Sequence, residues 1–283
     1  MATVTEHQVT SEIYADEGIA VGAPRAGGYV TTKFYFKCPL APGEGKQLEQ
    51  LEQDSDGDLV VERRNREEVI RIEHSASTSL RMVGLQVWRG ALLLADWAVH
   101  CGPSLLRGAT VLELGAGTGL TSIVAAMHAK EVVSTDVDLG GILDLIKANA
   151  ALNRDVVKAK FTVLGLDFFA EQWSPEVQGK LKEVSLVFAA DVIYDVDLTE
   201  AFVRTLLKVM SVPPKKTLFF ALEKRYVFTT DDFESVAPVY EHFVSYLEHC
   251  RPKSWTIEQI PLDFPQYFRY ERVKQLVLWK IAS

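Results

Sequence analysis

One stretch limits what this chain can become. Val111-Leu112-Glu113-Leu114-Gly115-Ala116-Gly117-Thr118-Gly119-Leu120 joins an apolar strand, interrupted by Glu113, to a glycine turn, and an apolar helix follows from Thr121. A strand, a tight glycine turn and a helix start form the nucleotide-site geometry of doubly wound α/β folds. Gly115, Gly117 and Gly119 let a ligand come close to the main chain. Their spacing is G-x-G-x-G, not the G-x-G-x-x-G of dinucleotide sites. Glu113, just before the turn, also argues against a pyrophosphate, because a carboxylate beside two phosphates is repulsive. The loop suits a cationic or zwitterionic ligand.

At 283 residues the chain has room for one large domain, or one domain with an extension. Its hydrophobic content of 48% supports a buried core. A net charge of -8 disfavours direct binding of nucleic acid but leaves room for docking a basic protein segment. Cys38, Cys101 and Cys250 are too few and too scattered for a disulfide framework or a zinc site, so no metal is expected. No signal-peptide-like segment is visible, and the apolar run from Gly90 to Val99 contains Asp96 and is too short to span a bilayer. These features predict an intracellular protein with no membrane association.

Taken in order, residues 1–28 read as an irregular arm. Tyr29 to Phe36, Leu59 to Glu62 and Glu68 to His74 read as strands of a small N-terminal β appendage spanning 1–74, with a mobile loop near 39–57. The main domain is expected over 75–283. A polar connection covers Ser75 to Arg81, and a helix is predicted over Gly84 to His100, stopped by Gly102-Pro103. Strands are expected at Thr110 to Leu114, Glu131 to Thr135, Lys160 to Gly165, Glu183 to Ala190 and Thr217 to Lys224. They alternate with helices at Thr121 to His128, Gly140 to Asn153 and Leu198 to Met210, and with a polar connector at Glu171 to Lys180. Helical periodicity continues over Asp231 to Cys250, and Trp255 to Ile260 and Gln275 to Ile281 close the sheet as a hairpin. The fold class is therefore α/β: a Rossmann-like, doubly wound, mostly parallel sheet of about seven strands with a C-terminal antiparallel strand pair.

In an open α/β sheet the ligand lies beyond the carboxyl ends of the strands. Gly115, Ala116, Gly117, Thr118 and Gly119 follow the first strand. Asp136 follows the second, 21 positions after Gly115. An acid there can accept both ribose hydroxyls, or it can cap the next helix. Asp138 is available for the cap, which favours the ribose role. Asp167 and Phe168 after the third strand read equally as an adenine site or as a capping acid beside a core aromatic. Asp191 and Tyr194 after the fourth strand pair an acceptor with a phenol facing the ligand, while Asp195 and Asp197 suit the cap of the following helix. Trp88 alone reads as a core tryptophan. Glu223-Lys224-Arg225 reads as a turn that faces the correct edge to line a substrate groove. S-adenosyl-L-methionine, with its ammonium and sulfonium, is a ligand of the required charge.

With these residues in view, the chain resembles the seven-strand class I S-adenosylmethionine-dependent methyltransferases, and more narrowly the protein-lysine branch called methyltransferase family 16. The matching stretches are Arg71-Ile72-Glu73-His74, Gln86 to Asp96, Leu112 to Leu120, Phe188 to Thr199, Glu223-Lys224-Arg225, and Tyr270 to Ile281. Asp191-Val192-Ile193-Tyr194 is similar to that branch's acid-x-x-aromatic motif after the fourth strand. The resemblance covers residues 59–283, and nothing before Leu59 is matched. It implies S-adenosyl-L-methionine as cofactor and S-adenosyl-L-homocysteine as product. It also implies cofactor contacts at Trp88, the Gly115–Gly117 loop, Asp136 and Ala190, with Phe168 standing where the family often carries tryptophan, while Glu113, Thr118 and Gly119 are candidate contacts from their place in the motif. Its implied partner is a protein presenting a lysine, with a nucleic-acid-associated nuclear protein as the suggested class, and its implied place is the nucleus and/or cytoplasm. Two other readings stay open: a methyltransferase acting on a small molecule or nucleic acid, and a non-catalytic cofactor-binding scaffold. The first of these lacks an Asn/Asp-Pro-Pro-Tyr motif and a basic stripe.

Overall fold

The computed structural model describes residues 8–16, 19–24, 28–38, 52–53, 59–60, 66–228 and 235–283. The expected mobile loop near 39–57 lies outside the described residues apart from Glu52–Gln53, which pairs with Leu59–Val60. In β1 (Tyr29–Cys38) Val30, Thr32, Phe34 and Phe36 alternate inward, as one face of a half-buried strand must. β1 pairs antiparallel with β2 (Arg66–Ser75), placing Tyr29 opposite Ser75 and Cys38 opposite Arg66.

The N-terminal arm is more ordered than its composition suggested. Gln8–Val9 pairs with Thr78–Ser79. Glu12–Ala15 forms a 3-10 turn that buries Ile13. The expected start of the first helix is also corrected. Leu80–Leu85 is a separate 3-10 segment, Trp88 is extended, and α1 runs Arg89–Leu105. Pro103 does not stop α1. It falls in the last turn, where a missing N–H forfeits a single bond, and the Leu106 N–H still closes on the Gly102 carbonyl at 2.9 Å.

Strands and helices then alternate as β3 (Thr110–Leu114), α2 (Leu120–Ala125), β4 (Glu131–Asp136), α3 (Ile142–Leu152) and β5 (Lys160–Gly165). They continue as α4 (Pro175–Leu181), β6 (Leu186–Ala190), α5 (Val196–Ser211), β7 (Thr217–Glu223), α6 (Pro238–Cys250), β8 (Thr256–Ile260) and β9 (Leu276–Ala282). The sheet order is β5-β4-β3-β6-β7-β9-β8. The first five strands are parallel, and β9 runs antiparallel between β7 and β8. The stretch read as a polar connector holds α4, whose start is capped by Ser174 Oγ accepting from the Val177 N–H at 3.2 Å. Among the described residues no helix is long and apolar enough to cross a membrane.

Alternate residues of each central strand feed two cores. Val111, Phe188 and Phe219 pack with α1, α2 and the β1–β2 pair, while Leu112, Val187 and Phe220 pack with α4, α5 and α6. Asn149 on α3 and Asn153 at its C-cap join the β1–β2 pair to the main sheet's layer. Asn149 Oδ1 accepts from the Glu73 N–H at 2.7 Å, and its Nδ2 donates to the carbonyls of Glu73 and Thr118, both at 2.9 Å. Asn153 treats Arg71 the same way, at 2.8 and 2.7 Å. Each side-chain amide acts as one more peptide unit beside β2, and Asn149 also reaches the glycine loop. Asn149 is fully buried, so Asn149→Ala removes three bonds without water to replace them. The unfolding free energy should fall by about 2–3 kcal/mol, read as a lower midpoint in urea denaturation at unchanged slope.

Candidate functional site

The carboxyl ends of the parallel strands open into a cleft of about 310 Å³. Its wall carries Trp88, Glu113, Gly115, Ala116, Gly117, Thr118, Asp136, Asp167, Phe168, Ala190, Asp191 and Tyr194. Of the site residues read from sequence, Gly119 alone lies off the wall. It is the N-cap of α2, with φ 82°.

The glycine loop is shaped by its neighbours. Gly117 has φ 56°, and a Cβ there would stand 2.8 Å from the Gly84 carbonyl oxygen, so only glycine fits. Its N–H donates to Asp136 Oδ2 at 2.7 Å, and the Val137 N–H donates to Oδ1 at 2.8 Å. Asp136 thus ties the end of β4 to the loop after β3. Neither Asp136 nor Asp138 caps α3, whose N-cap is Gly141 without a side-chain bond. Burial pushes the Asp136 carboxyl up to about 6, against the pull of its two N–H donors. Glu113 is buried beside it and accepts from the Ser122 hydroxyl. Burial pushes Glu113 up to about 7, and the Asp136 charge adds to the rise. Two carboxyls that ionise with difficulty line one wall, and a cation entering between them would favour their charged forms.

Asp191 follows β6 and is the one described non-glycine residue with positive φ, at 50°. Its N–H donates to the Ala221 carbonyl at 2.9 Å. Its carboxylate accepts the Gly90 N–H on Oδ2 at 2.7 Å and the Glu223 N–H on Oδ1 at 2.8 Å. Gly90 lies in the first turn of α1, so Asp191 satisfies one of the free donors at that helix start. A Cβ at Gly90 would sit 2.6 Å from Asp191 Oδ2, which makes glycine necessary there. Burial pushes the Asp191 carboxyl above the usual range, opposed by Arg225, the two N–H donors and Arg89. Each oxygen keeps acceptor capacity beyond its backbone bond. Tyr194 is 38% exposed at the rim, and its phenol is pushed up to about 12 by burial and by nearby Asp136 and Asp195. Asp195, as expected, caps α5 by accepting the Leu198 N–H at 3.0 Å.

Trp88 is not on the helix face that its spacing suggested. It is the N-cap of α1 in extended conformation, with Nε1–H donating to the Val83 carbonyl at 2.9 Å and its ring on the cleft. The Arg225 guanidinium lies 4.9 Å from the Trp88 ring centre, so Arg225 reaches the site's edge, while Lys224 rests on Tyr240. Phe168 packs on Phe202, with ring centres 5.6 Å apart, while it lines the cleft. Asp167 accepts the Phe169 N–H at 2.9 Å, a local turn bond. Sequence reasoning missed the wall made by Met82, Val83 and Gly84 and the contribution of Leu139 and Ile142. The one available signal was Gly84, a glycine at the start of a supposed helix.

Comparisons with known proteins agree with this arrangement. The family model described as lysine methyltransferase matches residues 64–238. Methyltransferase-like protein 22 from Homo sapiens is 33% identical over 330 residues, covering 97% of this chain and 81% of that protein. Methyltransferase-like protein 22 from Mus musculus is 39% identical over 238 residues, covering 76% of this chain and 59% of that protein. Protein-lysine N-methyltransferase EEF2KMT from Mus musculus is 32% identical over 147 residues, covering 47% of this chain and 42% of that protein. With the family model spanning more than half of its length, this chain belongs to the lysine methyltransferase family.

Proposed function

We propose that the chain transfers the methyl group of S-adenosyl-L-methionine to the ε-amine of a lysine in another protein, leaving S-adenosyl-L-homocysteine. The observation that carries this reading is one cleft in which Asp191 and Tyr194 face the glycine loop, Asp136 and Trp88. The residues present fit such a cofactor. Glu113 and Asp136 are buried acids suited to a cationic nucleoside, and the Asp136 oxygens keep lone pairs for ribose hydroxyls after their two backbone bonds. Gly115, Ala116, Gly117, Thr118 and Ala190 offer main-chain contact. Trp88 and Phe168 offer aromatic faces, with Asp167 as an acceptor near the adenine end. When bound, the cofactor supplies a methyl group made electrophilic by its sulfonium.

The chain's own residues then have to present a neutral amine. Lysine has a reference pKa of about 10.4, so the ammonium must lose a proton before it attacks. A narrow, partly apolar slot lowers that pKa, while a carboxylate raises it. Asp191 is therefore assigned to receiving and aligning the incoming ammonium. Tyr194, a neutral phenol, shapes the rim. The proton leaves to water, and in-line positioning of the amine supplies most of the rate. The substrate class we propose is a nucleic-acid-binding protein of the nucleus or cytoplasm, a choice supported by the family resemblance and by a net charge of -8 that suits a basic partner.

Two outcomes follow. Ionising Asp136, whose carboxyl stands at about 6, should be linked to binding of the cationic nucleoside. Calorimetric titration should show affinity falling by up to about tenfold between pH 7 and pH 5. Asp136→Asn should bind more weakly at pH 8 and show a shallower pH dependence. Asp191→Asn keeps one carbonyl acceptor for its backbone partners but removes the charge. Turnover should fall by about 10²-fold, well beyond any loss of cofactor affinity, and full activity would contradict the assigned role.

A further inference from the structure

The structure gives the N-terminal arm a specific task. Resting on the proposed reading of the cleft as the S-adenosyl-L-methionine site, we infer that Tyr14, Glu12 and Asp16 are positioning residues that set Trp88 and the start of α1 in the geometry the site needs. None of them lines the cleft. They act through the four residues Gln86 to Arg89.

Each neighbour of Trp88 in this stretch is held by the arm. Gln86 Oε1 accepts the Ser11 N–H at 2.7 Å, and Gln86 Nε2 donates to the Val9 carbonyl at 2.8 Å. The Val87 N–H donates to the Tyr14 hydroxyl at 3.0 Å. Arg89 Nη1 donates to Glu12 at 2.6 Å and Nη2 to Asp16 at 2.9 Å. Asp16 in turn accepts the Glu271 N–H at 2.9 Å, and the Tyr14 ring stacks on His74 at 4.4 Å and 5°. These contacts fall on a stretch that has no regular structure to hold it. Gln86 and Trp88 are extended between the 3-10 segment and α1. At Val87 the arm therefore supplies the backbone partner that a helix or strand would otherwise supply. Arg89 is buried and donates to Glu12 and Asp16 of the arm, with Glu223 at 3.6 Å and Glu271 at 3.9 Å completing its acidic surround. The next residue, Gly90, is the one that donates to Asp191. Displacing the arm would shift both Trp88 and the donor that pins Asp191.

The test uses the full chain and Tyr14→Phe, which keeps the ring stacked on His74 but leaves the Val87 N–H without its acceptor. Ile260→Val, on the edge strand β8, serves as a control of comparable stability loss. Tyr14→Phe should raise the dissociation constant for S-adenosyl-L-methionine about tenfold, while the control should not. Hydrogen exchange should accelerate at residues 86–91 and stay unchanged over 110–136. Equal affinity for Tyr14→Phe and the wild-type chain overturns the inference, as does a control that weakens binding as much. A wild-type chain that fails to bind the nucleoside overturns the proposed function. In that case, faster exchange confined to residues 86–91 would still support the clamp, and its absence would reject it.

Discussion

Three elements meet at the Asp191 carboxylate. The end of β6 carries it, the start of α1 donates to one oxygen, and the end of β7 donates to the other. Holding a non-glycine residue at φ 50° costs on the order of 1–2 kcal/mol. Hydrogen bonds from backbone donors to a charged group contribute about 1.5–3 kcal/mol each, so the two carboxylate bonds exceed that cost. The strained turn is stable only because α1 and β7 are both in place. The helix start, the fourth strand and the fifth strand are thus set relative to one another by a single side chain.

The rest of the site follows from that frame and from charge. Asp136 closes a second bridge, between β4 and the loop after β3, again by accepting a backbone N–H. Both bridging acids and Glu113 are pushed toward protonation by burial. A protein left to optimise stability alone would not collect one buried and two half-buried acids in one cleft, since each costs desolvation. Their arrangement makes sense if a cation completes it. The same electrostatics separate this loop from a pyrophosphate site, where Glu113 would repel the ligand. Arg89 and Arg225 sit outside the wall of acids, one held by the arm and one resting on Trp88, so positive charge borders the cleft without filling it.

Much of this was legible in the residues. Strand periodicity, the glycine turn and the acids at strand ends located the sheet and the acids and glycines that β3, β4 and β6 bring to the cleft, but not Leu139 or Ile142, and the cap at Asp195 was separated from Asp191. What was not legible depends on contacts between distant segments. Leu80 to Leu85 carries no helical or strand pattern, because its conformation is set by what it faces, including the Gly84–Gly117 approach. The arm looked frayed because its single short turn, Glu12–Ala15, is held by Arg89, Gln86 and the burial of Ile13 rather than by its own propensities. Pro103 looked like a stop because local rules do not say how many turns remain. Gly119 looked like a ligand residue because it shares the motif, whereas its place is at the helix cap.

The most direct measurement combines the purified chain, S-adenosyl-L-methionine carrying a labelled methyl group, and a cell extract depleted of nucleic acid, followed by complete hydrolysis of the labelled protein. The account predicts that the label appears as methyl-lysine and disappears with Asp191→Asn. Label recovered only in small molecules, or in nucleic acid when it is restored to the extract, would contradict it.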